Sequence, residues 1–311
     1  MTNDSRKKSK EELFGDALYD IEHAIGMYST SFCTFPAEGI YDKEALAPFM
    51  SLIESCHIYL IGYTPIIKYI SCKHDSLKLD IKYTISGTEH TVSYNITEGL
   101  ILKHNAEQHY LENEYGERYW PKESDIQKQL CYISDSVNFT VKYIGQAFGK
   151  DGSRNAIDRL LKHETLQKIA LKGVPEGYCL TLLLLSIQPN NQLITMMNPF
   201  ASNKENGQER IKSGLDKLFN TTEQERIALY EASLIRYFLP EFNKEFKNSF
   251  PSTTMKILQD CYEKDFCSIV AEICHDELPF KLCSEKVEPS YYHFAKHNLH
   301  KEKDRRMFFG L

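Results

Sequence analysis

The pattern of apolar and polar positions predicts helices and strands in the first part of the chain. Residues 10–30 carry apolar side chains at three- and four-residue spacing, which is typical of an amphipathic helix. These side chains are Leu13, Ala17, Leu18, Ile21, Ala24, Ile25 and Tyr28. A second helix is predicted over 43–56. Residues 77–85 and 89–96 alternate with period two on either side of the turn at 86–88, which indicates a β-hairpin.

The second part of the chain shows a clearer order of elements. Two short apolar runs, 130–134 and 141–145, predict strands. Ser153 is a suitable N-cap for a helix that runs to about Leu171. The apolar run 178–187 predicts a buried third strand.

A later helix has well-defined ends. Thr222 and Glu225 have the spacing of a capping box, and Pro240 stops the helix after Leu239. The order is therefore strand, strand, helix, strand, helix, which is typical of a small α/β layer domain.

Length and composition indicate a folded chain with more than one unit. The 311 residues suggest two domains, and 42% hydrophobic with 26% charged residues is ordinary for a folded protein. We predict an α/β (α+β) fold in which residues 1–125 form a separate acidic α+β domain. Residues 126–250 are predicted to form a small, three-stranded, mainly antiparallel sheet flanked by helices. Residues 251–311 are predicted to be a C-terminal extension that packs on that domain.

Charge and hydropathy bear on location and partners. The net charge is −6, and residues 1–125 carry 12 Lys and Arg against 20 Asp and Glu, a net of −8. An acidic first part does not predict a strong phosphate-binding surface, so any nucleic-acid site must be local. The sequence shows no apolar run long enough to span a bilayer and no secretory signal, and we expect a cytoplasmic protein without membrane contact.

The nine cysteines do not predict a disulfide framework, because their number is odd and no C-x-x-C pair occurs. A group near the C-terminus has residue types that bind zinc: Cys261, Cys267, Cys274, His275 and Cys283. Its spacings match no standard zinc finger or ribbon, so free thiols are favoured over a zinc site.

Glu231 is the strongest single candidate for chemistry. It lies four residues from both Ile227 and Ile235, so a helix turns its carboxylate into an apolar stripe. A buried carboxylate is costly unless it is paired or binds a metal ion. An ion pair with Arg226, Arg236 or a residue of a neighbouring strand is the alternative.

Arg159 and His163 are also candidates, because they lie one helical turn apart and share a face. A guanidinium at the edge of a cleft is suited to bidentate contact with a phosphate. Arg154 is a second candidate for the same role and lies nearer to Tyr143.

Taken together, six residues resemble the GIY-YIG nuclease family in type, order and approximate spacing. They are Tyr132, Tyr143, Arg159, His163, Glu231 and Asn243. Tyr143 begins a literal Tyr-Ile-Gly triplet, and Asn243 ends a Pro-x-x-Asn element. The resemblance covers about residues 128–247. A literal Gly-Ile-Tyr at residues 39–41 lies about a hundred residues before Tyr143, and we interpret it as a chance match.

The resemblance implies a metal-dependent endonuclease that hydrolyses phosphodiester bonds in DNA, with RNA left open, in restriction or phage defence. Glu231 is expected to hold one Mg²⁺ or Mn²⁺ ion, and Arg159 to neutralise transition-state charge. Tyr132 is expected to activate water with help from His163, while Tyr143 positions groups and Asn243 supports the site. Residues 1–125 are expected to provide target choice, a homodimer contact or a protein-partner contact.

The first triplet of the motif departs from the family pattern. Leu130 and Cys131 stand where the family has glycine and isoleucine. A catalytically silent binding or regulatory protein with the same fold is therefore the alternative hypothesis.

Overall fold

The computed structural model describes residues 19–75, 77–105, 108–148, 155–199, 201–251 and 255–300. Within them the strands are β1 Ile21–Pro36, β2 Cys56–Pro65, β3 Ile67–Asp75, β4 Lys78–Ile85, β5 Thr88–Asn95, β6 Ile101–His104, β7 His109–Glu112, β8 Arg118–Tyr119, β9 Asn138–Gln146, β10 Tyr178–Ile187, β11 Gln192–Met197, β12 Ser268–Cys274, β13 Lys281–Cys283 and β14 Tyr292–Asn298. The α-helices are α1 Lys43–Leu46, α2 Met50–Ser55, α3 Glu123–Ile133, α4 Ala156–Leu160, α5 Glu164–Lys172, α6 Gly207–Asn220, α7 Glu223–Phe238 and α8 Lys256–Glu263.

One large mixed sheet organises the fold. Its strand order is β13-β9-β2-β10-β1-β12-β14, and β11 pairs with β1 off this path. The pairs β1–β12 and β9–β13 are parallel, whereas the other pairs are antiparallel. The mixed α+β class is confirmed, but the sheet has eight strands. Of the three predicted strands only two form, as β9 and β10, and β2 lies between them.

The predicted boundary near residue 125 does not separate two domains. Strands β1 and β2 come from residues 21–65, yet they lie inside the same sheet as β9 and β10. Hydrogen-bonded sheet neighbours share one core, so the predicted 1–125 domain is not an independent unit. The segment that leaves the sheet is 66–137, which carries α3 and two small antiparallel sheets, β3-β4-β5 and β6-β7-β8.

The predicted helix over 10–30 is wrong where the structure describes it, because residues 21–30 belong to β1. Residues 10–18 lie outside the described residues. All residues from Ile21 to Met27 are buried. A strand that is covered on both faces loses its period-two alternation, so its apolar positions can imitate helical spacing.

The predicted strand over 130–134 is also wrong, because residues 130–133 form the last turn of α3. Ile126, Leu130 and Cys131 are buried on one helical face. Two carboxylates in the first turn, Glu123 and Asp125, stabilise the N-terminal end of the helix dipole. A short apolar run by itself does not distinguish a buried strand from a buried helical turn.

Several predictions for the elements near the site are confirmed. The hairpin forms as β4 and β5, and β10 spans the predicted 178–187. Thr222 and Glu225 form the capping box of α7, and Leu239 ends that helix in a left-handed conformation before Pro240. The predicted 43–56 helix is divided into α1 and α2 around a 3₁₀ turn that contains Pro48.

The two faces of the large sheet are buried differently. One face carries Ile58, Leu60, Phe139 and Ile144 and packs against α7 and the 66–137 segment. The other face carries Tyr59 and packs against α2, α4 and α5. Of the predicted 251–311 extension, residues 268–298 belong to the large sheet as β12, β13 and β14, and residues 301–311 lie outside the described residues. Among the described helices, none is long and apolar enough to cross a membrane.

Candidate active site

Two tyrosines meet where β2 and β9 pair. The register places Tyr59 opposite Gly145 and Ile61 opposite Tyr143, but Gly62 opposite Val141. Lys142 is therefore the extra residue of a β-bulge. The bulge turns Tyr143 to the face that carries Tyr59, and the two rings lie 6.2 Å apart in a stacked arrangement. β-Bulges often redirect a side chain beside a functional site in this way.

Gly145 is required by the close approach of the Tyr59 ring. A Cβ atom built on Gly145 would lie 2.5 Å from both Cζ and the hydroxyl of Tyr59 and 2.9 Å from a ring carbon of Tyr143. Since real Cβ contacts are not this short, any side chain at this position displaces the tyrosine. The glycine of the Tyr143-Ile144-Gly145 triplet thus fixes where the Tyr59 hydroxyl lies.

We expect Gly145→Ala to move the Tyr59 hydroxyl and to cost about 1–3 kcal/mol of unfolding free energy, typical of overpacking. Chemical denaturation and an activity assay on the same preparation measure the two effects. Gly62→Ala is the control, because its Cβ would meet Phe139 and the Thr140 carbonyl oxygen rather than the tyrosine pair. It should lower stability at least as much, with a smaller loss of rate per folded molecule.

The buried His163 ring packs against both Tyr59 and Tyr143. It caps α5, because the backbone N–H of Leu166 donates a 3.1 Å hydrogen bond to His163 Nδ1. Its ring lies edge-on to Tyr59 at 5.5 Å and tilted against Tyr143 at 5.0 Å. Burial, with a smaller contribution from Arg159, lowers the pKa of His163 to about 4. The imidazole is therefore neutral near neutral pH and holds the two rings in place.

Arg159 stands in the last turn of α4, which begins after the N-cap Asn155. The predicted N-cap Ser153 lies outside the described residues, and within them the predicted helix is interrupted between α4 and α5. This break brings both Arg159 and His163 to the tyrosines. Burial raises the pKa of Tyr59, and the nearby Tyr143 adds to the rise, while a hydrogen bond with Arg159 opposes it. Burial also raises the pKa of Tyr143, as does the charge of Glu231. Both phenols are therefore protonated near neutral pH.

Glu231 projects from α7 into the same place. Its carboxyl group is partly buried, and burial raises its pKa to about 8. Repulsion from Glu245 adds to the rise, whereas Arg159 and hydrogen bonds from Gln146 lower it. In the part of the chain that the structure describes, no basic side chain forms a salt bridge with Glu231. The alternative that it belongs to an ion pair is therefore not supported.

Asn243 is a structural clamp on the Tyr-Ile-Gly strand. Its Oδ1 accepts a 2.9 Å hydrogen bond from the Ile144 N–H, and its Nδ2 donates a 2.8 Å bond to the Ile144 carbonyl. The N–H of Phe242 bonds to the carbonyl of Lys142 on the same strand edge. The loop after α7 thereby covers the edge of β9 and fixes the position of Glu231 relative to Tyr143.

These elements enclose an open cleft of about 580 Å³. The residues that line it are Tyr59, Tyr143, Gln146, Arg159, Glu164, Thr165, Lys168, Glu231, Ile235, Phe242, Asn243, Lys244, Glu245 and Phe246. Four of the six predicted site residues line this cleft, and His163 lies directly behind it.

Tyr132 is not part of the cleft. It stands near the end of α3 with 91% of its surface exposed. Its predicted role depended on a strand at 130–134 that does not form. The Gly-Ile-Tyr at residues 39–41 lies in a 3₁₀ helix and faces a separate apolar groove. Arg154 lies outside the described residues.

Tyr59 is the residue that the sequence analysis missed. Its signal is the apolar run of β2, in which Ile58-Tyr59 precedes the buried residues Leu60 and Ile61. A search for a tyrosine about a dozen residues before Tyr143 excludes it, because the 66–137 segment lies between the two strands. The nearly continuous apolar run 56–65 therefore predicts a strand, but not its partner.

The carboxylate of Glu231 in the cleft fits a metal site in which the protein supplies few ligands. Among the described residues, no group of three or more His, Cys, Asp or Glu side chains could hold an ion. All nine cysteines are free thiols. Mg²⁺ needs no such cage, since it commonly binds one or two carboxylates and completes its shell with water and substrate phosphates. Glu231 lines an open cleft and forms no salt bridge with any described residue, so it fits that kind of ion.

No family model matches the chain, and no curated protein and no solved structure is significantly similar to it.

Proposed function

We propose that the chain is a GIY-YIG-like, metal-dependent endonuclease that hydrolyses phosphodiester bonds in DNA. The observation that carries the proposal is the convergence of Tyr59, Tyr143, Arg159 and Glu231 on one cleft, with Asn243 clamped to the Tyr-Ile-Gly strand. These residue types come from β2, β9, α4 and α7, so no single local motif brings them together. Ile58-Tyr59, which pairs with the Tyr-Ile-Gly strand, takes the place of Cys131-Tyr132 as the Ile-Tyr part of the first motif.

Each residue has a chemical role in this proposal. Glu231 would hold Mg²⁺ or Mn²⁺, and such an ion, when bound, would supply Lewis-acid polarisation of the scissile phosphate and a lowered pKa of attacking water. Arg159 neutralises charge that develops on the phosphate in the transition state. Tyr59 and Tyr143 are protonated, so their hydroxyls orient the attacking water and donate to phosphate oxygens. Neutral His163 holds both rings, and we assign it a positioning role instead of proton transfer.

The test is cleavage of covalently closed plasmid and of phage DNA with Mg²⁺ or Mn²⁺. A closed circle has no ends, so its conversion to open or linear forms reports internal cutting. A function in restriction or phage defence adds the expectation that some DNA, modified or unmodified, is cut in preference to the rest. Absence of cutting on duplex, single-stranded and modified DNA would exclude the proposed activity.

The second candidate is a binding or regulatory protein with the same fold and no activity. One observation favours it: His57 stands at the position before Ile58-Tyr59, where the family motif has glycine. This candidate predicts DNA binding that is independent of Mg²⁺, with no cleavage by the wild-type chain. The full set of chemical groups in the cleft makes the enzyme the better-supported function.

We expect cleavage to depend on pH through Glu231. Its pKa of about 8 means that the carboxylate needed for metal binding increases about tenfold per pH unit below that value. At low Mg²⁺, kcat/KM should therefore rise with pH and level off near pH 8. Because the ion competes with the proton, higher Mg²⁺ should move the midpoint to lower pH. A profile whose midpoint does not respond to Mg²⁺ would assign the titration to another group.

A further inference from the structure

The cleft carries basic side chains that the proposed chemistry does not use. Lys168 on α5 and Lys244 in the loop after α7 both line it, and both are exposed. The two lysines thus come from different elements, and both elements border the cleft that contains Tyr59 and Glu231. Neither lysine forms a salt bridge with any of the described residues.

Two nearby lysines, unlike Lys168 and Lys244, are paired with a carboxylate. Lys172, one turn after Lys168, forms a salt bridge with Glu241 and lies 5.0 Å from the centre of the Phe242 ring. Lys142 pairs with the same Glu241 at 3.1 Å. These ion pairs connect α5 and β9 to the loop after α7, and both lysine charges are neutralised by Glu241. Lys168 and Lys244 retain theirs at the cleft.

The balance of charge in the cleft makes these two positions important. The lining has three basic side chains, Arg159 and the two lysines, against the carboxyl groups of Glu164, Glu231 and Glu245. Any surplus of positive charge in this lining is therefore small, in keeping with the acidic chain. Attraction has to come from particular cations at particular points, because a lysine ammonium binds phosphate as a point charge.

We infer that Lys168 and Lys244 bind the backbone phosphates on either side of the scissile one, so that a polynucleotide strand crosses the cleft from α5 to the loop after α7. This inference rests on the proposed function and gives it a substrate geometry. A strand held on both sides of the cut must continue in both directions, which makes an internal phosphodiester the substrate. Arg159 and Glu231 then act on the phosphate between the two lysines.

Salt dependence of binding tests the two contacts separately from cleavage. Each lysine–phosphate contact in duplex DNA contributes about 0.9 to the slope of log K against log salt concentration. In a Glu231→Gln background that binds without cutting, the double variant Lys168→Ala/Lys244→Ala should lower that slope by about 1.8 on a labelled duplex. The affinity lost between 50 and 200 mM KCl should then be smaller by roughly tenfold, since a fourfold change in salt is raised to that power.

The matched control is Lys128→Ala/Lys212→Ala, which removes two exposed lysines from α3 and α6, away from the cleft. It makes the same change in net charge and should leave the slope unchanged. Thermal unfolding of both double variants checks that the fold is retained.

Three outcomes decide between the hypotheses. A lower slope in the cleft variant alone supports the two phosphate contacts. Equal slopes for both double variants, in a protein whose wild type cuts DNA, would overturn the contacts and leave the nuclease. A Glu231→Gln protein that binds no DNA, beside a wild type that cuts none, would overturn the proposed function itself.

Discussion

Replacing Glu231 by glutamine should abolish metal-dependent cleavage, with a loss of at least about 10³-fold in kcat/KM. The reason is that the amide cannot provide the anionic oxygen that would hold the ion, and the ion contributes several kcal/mol of transition-state stabilisation. The side chain keeps its size, so the packing of Ile227 and Ile235 around it is preserved. Single-turnover cleavage at saturating DNA, followed across Mg²⁺ and Mn²⁺ concentrations, measures the effect.

Glu164→Gln is the control for this variant. Glu164 lines the same cleft and is exposed, and the substitution likewise replaces a carboxyl group by an amide of the same size. We expect cleavage within a fewfold of wild type, since Glu164 lies in the first turn of α5 and not beside Gln146 and the tyrosines. Comparable losses in both variants would point to a general electrostatic effect and remove Glu231 from its proposed role.

The thermal stability of Glu231→Gln shows whether the variant has lost only its metal ligand or its fold as well. The pKa of Glu231 is raised in the folded state, so folding takes up a proton between its ordinary value near 4.5 and about 8. Stability contributed by the protonated group is complete below about 4.5 and is lost as pH rises through 8. Glu231→Gln removes this dependence. Above pH 8 without metal, the variant should therefore unfold at a temperature equal to or higher than that of wild type.

The later part of the site could be predicted because its signals are local. Thr222 with Glu225 marks the start of α7, and Pro240 marks its end. Helical periodicity then turns Glu231 toward the side that carries Ile227 and Ile235. Such signals depend on residues within a few turns of one another, and the structure retains them.

The missed part depends on contacts between distant residues. The partner of the Tyr-Ile-Gly strand is β2, and the pairing of Tyr59 with Gly145 follows from sheet topology. Periodicity gives the orientation of side chains within one strand and carries no information on its neighbour. The same limit explains why the sequence of β1, whose first part is buried on both faces, predicts a helix. It also explains why the predicted domain boundary near residue 125 separates strands that belong to one sheet.

The glycine at position 145 carries some information about the neighbouring strand. Gly145 marks a position where another side chain approaches the backbone closely, and the atom that approaches it is the Tyr59 hydroxyl. A glycine inside a strand often indicates such an approach. Its identity therefore predicts that another group lies close to it, although the sequence alone does not say which group.

Tyr59→Phe should lower the cleavage rate by about 10²–10³-fold, whereas Tyr132→Phe should leave it unchanged. Removal of one aligned hydrogen-bonding group from a transition state typically has an effect of that size. The phenylalanine ring retains the stacking with Tyr143 and the edge contact with His163, so the fold should persist. Tyr132 is almost fully exposed on α3 and is not among the residues that line the cleft around Glu231.

The two tyrosine variants together decide between a motif defined by spacing and one defined by strand pairing. Spacing selects Tyr132, eleven residues before Tyr143, while the sheet selects Tyr59, which is 84 residues before it. Both variants remove one hydroxyl and keep the ring, so their kcat values under single-turnover conditions are directly comparable. A loss in Tyr132→Phe with full activity in Tyr59→Phe would mean that the cleft on β2 and β9 is not where the chemistry occurs. The expected result would instead show that a segment of some 70 residues can separate two strands of a catalytic pair without disturbing their register, because hydrogen bonds between the strands fix the register independently of the length of the connection.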